Sequence, residues 1–173
     1  MSTNYKRWRS LFLFCLGIFA GTAFCMKWME GDLWQNGQPF TIIGLEISYS
    51  KERLVSVLGG LDEHVRTILR YHLSFDFAFM AGVYPGIAAL CMMGREKTSG
   101  PVFRNLLFVC ALLQTVAWGC DIAENHYLFG WIREPMTGNG IGRYHFFVFT
   151  KWIIALSALL IAIPFAVRKK RSL

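Results

Sequence analysis

The sequence lacks the motifs on which most metal, disulfide and cofactor chemistry depends. It has no C-x-x-C and no H-E-x-x-H, and its cysteines stand singly in apolar stretches, which predicts small buried side chains, no zinc site and no cofactor. The cysteines are Cys15, Cys25, Cys91, Cys110 and Cys120. Acidic residues are also scarce, with 11 Asp and Glu against 18 Lys and Arg. Each acid in an apolar stretch therefore needs a physical reason to be there.

The chain is rich in apolar residues, at 54% hydrophobic and 16% aromatic, and its mean hydropathy is +0.39. This composition is too apolar for an ordinary soluble domain and suits several membrane spans. A formal net charge of +7 would suggest nucleic-acid binding in a soluble protein. Here the basic residues cluster beside apolar runs, as membrane topology requires, so no nucleic-acid partner is predicted.

Four long apolar runs predict an all-α fold, a four-helix transmembrane bundle that forms one integral membrane domain over residues 1–173. A helix of about 20 apolar residues crosses the hydrocarbon core of a bilayer. The predicted spans cover about residues 11–29, 72–93, 102–129 and 144–167.

The first run follows a basic tail that contains Lys6, Arg7 and Arg9. It has no A-x-A ending, which predicts a retained signal anchor and not a cleaved signal peptide. Gly17 and Gly21 form a small-xxx-small pair in this span, which predicts close packing against another helix.

The longest polar connection is predicted at residues 30–71. Asn36-Gly37 predicts a tight turn, and Gly59-Gly60 is expected to separate two short amphipathic helices. Either Ser48 or Ser50 should cap the first helix. Two interpretations of this segment are open, a connector on the membrane surface and a lid over a site, and the pattern favours the connector.

The basic residues also predict the orientation of the helices. They concentrate in the N-terminal tail, in the loop at 95–104 and in the tail Arg168–Arg171. The positive-inside rule places all three in the cytoplasm. We therefore expect both termini in the cytoplasm, in a bacterial inner (plasma) membrane, and the extracytoplasmic connections at 30–71 and 130–143.

A polar stripe ends the third span. At about 100° per residue, Gln114, Asp121 and Asn125 fall within about 20° of one another, and Glu124 lies on the flank. An Asp at the bilayer centre costs about 2.5–3.5 kcal/mol. This stripe should therefore face protein and not lipid.

The topology supplies partners for the stripe in one layer of the outer half of the bilayer. Asp76 of the second span and Lys151 of the fourth are expected beside the acids of the third, with Tyr84 on the same side of its helix as Asp76. Lys151 should point inward because it shares a helix face with small residues. These residues are Ala155, Ala158 and Ala162.

Charge balance in this layer admits two interpretations. Three carboxylates and one ammonium leave two surplus negative charges, so a proton should be held or a cation bound. Such clusters serve proton transfer, cation binding or recognition of a basic ligand. The plainer alternative is an ion pair of Asp76 with Lys151, with Asn125 and Gln114 as hydrogen-bonding glue. His72, expected at the interface, could join Asp76 in holding a hard ion such as Mg²⁺, but the absence of a ligand motif favours no metal.

The arrangement resembles a set of small, uncharacterised four-span bacterial membrane proteins. The resemblance covers roughly residues 50–165, and its most specific part is the D-x-x-E-N element from Asp121 to Asn125. Tyr84-Pro85 in the second span and Phe149–Trp152 in the fourth also contribute to it. The resemblance implies a four-helix topology and a shared polar site, and it implies no activity.

The leading hypothesis is a membrane protein whose carboxylate-rich site, near the outer leaflet, binds or processes a lipid-like or amphiphilic small molecule. In an enzyme, Asp121 or Glu124 would be the general base and Lys151 the electrostatic stabiliser. The residues expected to bind and position the ligand are Asp76, Tyr84, Gln114 and Asn125. The alternatives are a proton- or cation-coupled carrier and a non-catalytic partner subunit. Membrane lipids and a second copy of the chain are further expected partners.

Overall fold

The computed structural model describes residues 3–134 and 139–168. The helices are α1 (Thr3–Met29), α2 (Lys51–Leu58), α3 (Glu63–Lys97), α4 (Pro101–Arg133) and α5 (Ile141–Val167). Between α1 and α2 lie a 3₁₀ turn (Glu30–Asp32), two short strands β1 (Trp34–Gln35) and β2 (Gln38–Pro39), and a π-helical turn (Gly44–Ser48). The helices α1, α3, α4 and α5 are long and apolar enough to cross a membrane, which confirms the predicted all-α four-helix bundle.

The second membrane helix begins earlier than the sequence predicts. We expected a separate amphipathic helix before a span at 72, but α3 runs without interruption from Glu63. Asp62 caps it by accepting a hydrogen bond from the backbone N–H of Val65 at 2.8 Å. No Gly or Pro follows until Gly82, so nothing ends the helix at the membrane boundary. The connection thus ends at residue 62 and not at 71.

Local signals in the connection are confirmed. The helix α2 ends at Leu58, before the glycine pair, and the side chain of Ser50 caps it by accepting from the N–H of Arg53 at 3.2 Å. Asn36 and Gly37 have φ angles of 52° and 74° and join β1 to β2 as an antiparallel hairpin. Positive φ at both central residues is what a two-residue hairpin turn of this kind requires.

The two ends of the bundle are built differently. At the end that holds the start of α1 and the end of α5, which we call the terminal end, Lys97 donates to the carbonyl of Ala166 and lies over the ring of Tyr5. At the opposite connector end, Leu33, Phe40 and Leu45 are buried in one apolar cluster with the bundle helices. Residues 33–61 therefore fold over the connector end, and we call this segment the cap.

Parts of one predicted loop and of the predicted basic tail lie outside the described residues. These parts are residues 135–138 of the 130–143 connection and the tail that follows Arg168.

Close packing of α1 uses different glycines from those predicted. A Cβ added to Gly17 or Gly21 would meet nothing within 4 Å in the described part of the chain, so this pair makes no close helix contact there. A Cβ on Gly82 of α3 would instead lie 2.7 Å from the backbone N of Phe19 and 2.9 Å from the carbonyl O of Cys15. The small residue that lets α1 approach thus lies on α3.

We expect Gly82→Ala to destabilise the protein by about 1–3 kcal/mol, because the new methyl group would force two backbones apart. The matched control is Gly119→Ala on α4, where a Cβ would meet nothing within 4 Å. Thermal unfolding in detergent measures both variants. Equal melting temperatures for the two would show that α1 does not pack on α3 in this way.

Candidate functional site

The centre of the site is the ammonium group of Lys151 on α5, whose side chain is buried at 6% exposure. It donates a hydrogen bond to Oδ1 of Asp121 at 2.6 Å. It also forms an ion pair with Oε2 of Glu124 at 2.6 Å, although the angle there departs from hydrogen-bond geometry. Asp121 and Glu124 are three residues apart on α4, so one helix face presents both carboxylates to the lysine. The sequence predicted this convergence of α4 and α5.

A third carboxylate comes from the cap. Oε1 of Glu46 lies 3.5 Å from the Lys151 ammonium, and its Oε2 accepts a hydrogen bond from the indole N–H of Trp152 at 2.9 Å. The neighbouring carbonyl of Leu45 accepts a hydrogen bond from the buried hydroxyl of Tyr144 at 3.1 Å. The cap is therefore more than a connector on the membrane surface, since it covers the site and contributes an acid to it.

Sequence reasoning missed Glu46 because no periodic pattern surrounds it. It lies in the π-helical turn Gly44–Ser48, whose position depends on contacts with α5 and not on a helix face. One signal was present, since Glu46 is the sole charged residue between Asp32 and Lys51 in the sequence. An isolated acid in an apolar loop needs a buried partner, and here that partner is Lys151.

The helix α3 contributes two further predicted residues. The hydroxyl of Tyr84 donates to Oδ2 of Asp121 at 2.7 Å, and Oδ2 of Asp76 accepts from the amide Nδ2 of Asn125 at 2.7 Å. Among the described residues, the ion pairs of Lys151 do not include Asp76. The alternative interpretation, an ion pair of Asp76 with Lys151, therefore does not hold, although the hydrogen bond that it expected of Asn125 is present, to Asp76.

Gln114 is set apart from the cluster. It precedes Asp121 by seven residues, about 10 Å along α4 towards the terminal end. Its amide donates to the carbonyl of Cys110 at 3.1 Å, and its buried Oε1 has no hydrogen-bond partner among the described residues. Among the described residues, Gln114 thus makes no hydrogen bond to the residues around Lys151.

The charge imbalance is larger than the sequence indicated. Three carboxylates pair with one buried ammonium, and Asp76 is joined to them through Asn125, which leaves three surplus negative charges if all four acids are ionised. Carboxylates this close in a medium of low dielectric constant repel one another strongly. The cluster is therefore suited to hold protons or to receive a ligand with positive or hydrogen-bond-donating groups.

Glu46, which lies outside the membrane-spanning helices, is suited to hold one such proton. Burial raises the pKa of Glu46, while the Lys151 ammonium and the Trp152 hydrogen bond partly oppose this shift. Since its pKa is higher in the folded than in the unfolded state, the folded protein binds this proton more tightly. The resulting stabilisation is present at low pH and is lost as pH rises through the raised pKa.

His72 is buried inside the protein. Its position at the membrane interface stays a prediction, because burial in the bundle does not give a depth in the bilayer. Within residues 3–134 and 139–168, no three His, Cys, Asp or Glu side chains are placed to hold a metal ion. At the point where the carboxylates converge, the Lys151 ammonium takes the position that a cation would need.

Two cavities are lined by residues outside the cluster. One of about 380 Å³ lies at the terminal end, and an apolar one of about 510 Å³ lies between α1 and α3 beside Phe24, Trp28 and Phe75. The side chains around Lys151 lie between two apolar cores, one under the cap and one in the terminal half. The cap thus covers the cluster at the connector end.

Comparison with family models, with curated proteins and with solved structures found no match to this chain. The resemblance carried by the D-x-x-E-N element accordingly stays a prediction.

Proposed function

We propose that this protein is a multi-pass membrane protein whose capped, carboxylate-rich site binds a lipid-like or amphiphilic small molecule with a cationic or hydrogen-bond-donating head. The observation that carries the proposal is the surplus of buried carboxylates around Lys151 beneath the cap. A structural ion pair needs one acid for one base, and additional buried acids are costly to fold. Retention of such a cost is typical of functional sites.

The four acids of the cluster differ in how fully their oxygens are already engaged by protein groups, and therefore in how readily they could bind a ligand. Both oxygens of Asp121 are engaged, one by Lys151 and one by Tyr84. Asp76 is half-buried, and Glu46 makes the longest of the three ion pairs at 3.5 Å. An amine or N–H donor would therefore bind first to Asp76 and Glu46, while Asp121 and Lys151 hold the site together.

If binding leads to a reaction, Glu124 is a better general base than Asp121. A carboxylate with donors on both oxygens is a weak proton acceptor, and Asp121 is in that state. In such a reaction, Lys151 would stabilise negative charge, and Asn125 would position the ligand beside Asp76.

The terminal half of the bundle weighs against a carrier. Below the cluster, α3, α4 and α5 pack through apolar and small side chains, including Ala158 and Ala162. A carrier needs polar groups along a path through the membrane, and Gln114 is isolated there. The arrangement therefore favours a site open from one side.

One observation favours a second candidate, a partner subunit or homo-oligomer. Gly17 and Gly21 lie on an exposed face of α1, with nothing within 4 Å of either in the described chain. An exposed small-xxx-small pair is what a second transmembrane helix could pack against. Replacement of both glycines by Ile should then abolish any oligomer seen by native mass spectrometry.

The proposed orientation in a bacterial inner membrane has the terminal end in the cytoplasm and the cap outside. Arg95, Lys97 and Arg104 lie at the terminal end and support this through the positive-inside rule. A reporter that is active only outside the cytoplasm should be silent when fused after Leu173. Activity of that fusion would reverse the orientation and place the site at the inner leaflet.

The carboxylates should be dispensable for folding and required for ligand binding. We expect Asp76→Asn and Glu46→Gln, which change the two acids proposed to meet the ligand first, each to keep or raise the melting temperature, because each removes a repulsion and leaves Asp121 and Glu124 with the ammonium. Native mass spectrometry and lipid analysis of the purified protein should show a bound molecule in the wild type that both variants lose. Such separation of stability from function is typical of working sites.

The matched control is Glu63→Gln, which removes an exposed carboxylate at the connector end that pairs with Arg66. This variant should keep the bound molecule. If all the variants and the wild type carry the same molecules, the carboxylate cluster is structural glue and the proposed function is wrong.

A further inference from the structure

A second polar site lies at the terminal end, remote from the carboxylate cluster. The cavity of about 380 Å³ is partly open and lies between the first turns of α1 and the last turns of α3. Its lining residues include two arginines, Arg7 and Arg95, and one acid, Glu96. The two positive charges and one negative charge leave a net positive cavity.

We propose that this cavity binds the phosphate-bearing headgroup of an anionic phospholipid. Arginine suits this ligand because its planar guanidinium can donate two parallel hydrogen bonds to phosphate oxygens. Basic pockets between membrane helices at the level of the headgroups recognise anionic lipids through the same chemistry.

The side chain of Arg95 gives independent support for a ligand, because one of its hydrogen-bond donors lacks an acceptor. Its guanidinium carbon lies 5.4 Å from the ring centroid of Phe108, so the aromatic ring supports one face of the group. Its Nε is buried and has no hydrogen-bond partner among the described residues. A buried donor without an acceptor is destabilising, and a phosphate oxygen in the cavity would offer the guanidinium one.

The remaining walls favour a lipid over a soluble phosphate. Leu11 and Met92 line the cavity on its apolar side, and Leu11 is 38% exposed. The exposed side chain of Phe14, one turn further along α1, extends this apolar surface towards the hydrocarbon. Trp8 also lines the cavity, and tryptophan is enriched at the membrane interface. The phosphate headgroup of a phospholipid would thus contact the arginines, and its acyl chain would contact the apolar surface of Leu11 and Phe14.

Native mass spectrometry of the full chain in detergent tests the proposal, with phosphatidylglycerol and phosphatidylcholine added in equal amounts. The wild type should bind phosphatidylglycerol preferentially. Arg7→Gln should weaken that binding about fivefold, the effect of one basic residue near a charged lipid surface. Arg7 is exposed, so this variant should fold, and Arg95→Gln should add a further loss.

The matched control is Arg104→Gln, which removes an exposed arginine at the same end that does not line the cavity. Its preference for phosphatidylglycerol should equal that of the wild type. Equal binding by the wild type and Arg7→Gln, or an equal loss in Arg104→Gln, would overturn the proposal.

A second arm distinguishes the source of the phosphate. Glycerol phosphate, added without lipid, should bind far more weakly than phosphatidylglycerol because it cannot use the apolar wall. If glycerol phosphate binds as tightly and competes fully, the cavity takes a soluble anion and the lipid proposal is wrong.

Discussion

The connector end of this bundle depends on the ion pairs that the ammonium group of Lys151 forms with buried carboxylates. This ammonium meets carboxylates from α4 and from the cap, and so it joins elements that are far apart in sequence. Every charge in this cluster has lost most of its water, so the attraction between them is strong and the cost of a missing partner is high. The helices and the cap can pack closely here because the lysine offsets part of the carboxylate charge.

The cluster around Lys151 contains more acids than one buried base balances, and this excess is the basis of the proposed function. One carboxylate would balance the lysine, and the structure brings three within ion-pairing distance, with Asp76 held alongside by Asn125. The cap covers the cluster through the contacts of Glu46 and Leu45 with α5. The surplus negative charge above an apolar core supports the proposed binding of a ligand from the cap side.

The helix-borne part of the site could be predicted from the sequence. Asp121, Glu124 and Lys151 lie on regular helices, so a period of 3.6 residues and an antiparallel topology determine which faces and which depths meet. Glu46 could not be predicted in the same way, because it lies in a short π-helical turn whose sequence shows no helical periodicity. Tertiary contacts, such as the hydrogen bond from Tyr144 to Leu45, determine the position of this turn. The start of α3 was misplaced for a related reason, since a helix can cross the interface without any local signal to end it.

The terminal end differs from the connector end in the sign and the burial of its charged residues. Its charged residues lie near the helix ends and are mostly basic, and Arg7, Arg95 and Glu96 line a cavity there. The described part of the bundle thus has a buried, mostly acidic cluster at one end and a cavity lined by two arginines at the other. This difference between the ends is the basis of the proposed orientation.

A double-mutant cycle on Lys151 tests the central claim most directly. We expect Lys151→Met alone to cost about 3–5 kcal/mol, because it leaves buried carboxylates without their cation. In the Asp121→Asn/Glu124→Gln background the same change should cost far less, since the two closest carboxylates are gone and only Glu46, at 3.5 Å, still pairs with the lysine. Thermal unfolding of the four proteins in detergent measures the coupling. An equal cost of Lys151→Met in both backgrounds would show that the lysine does not hold these carboxylates together.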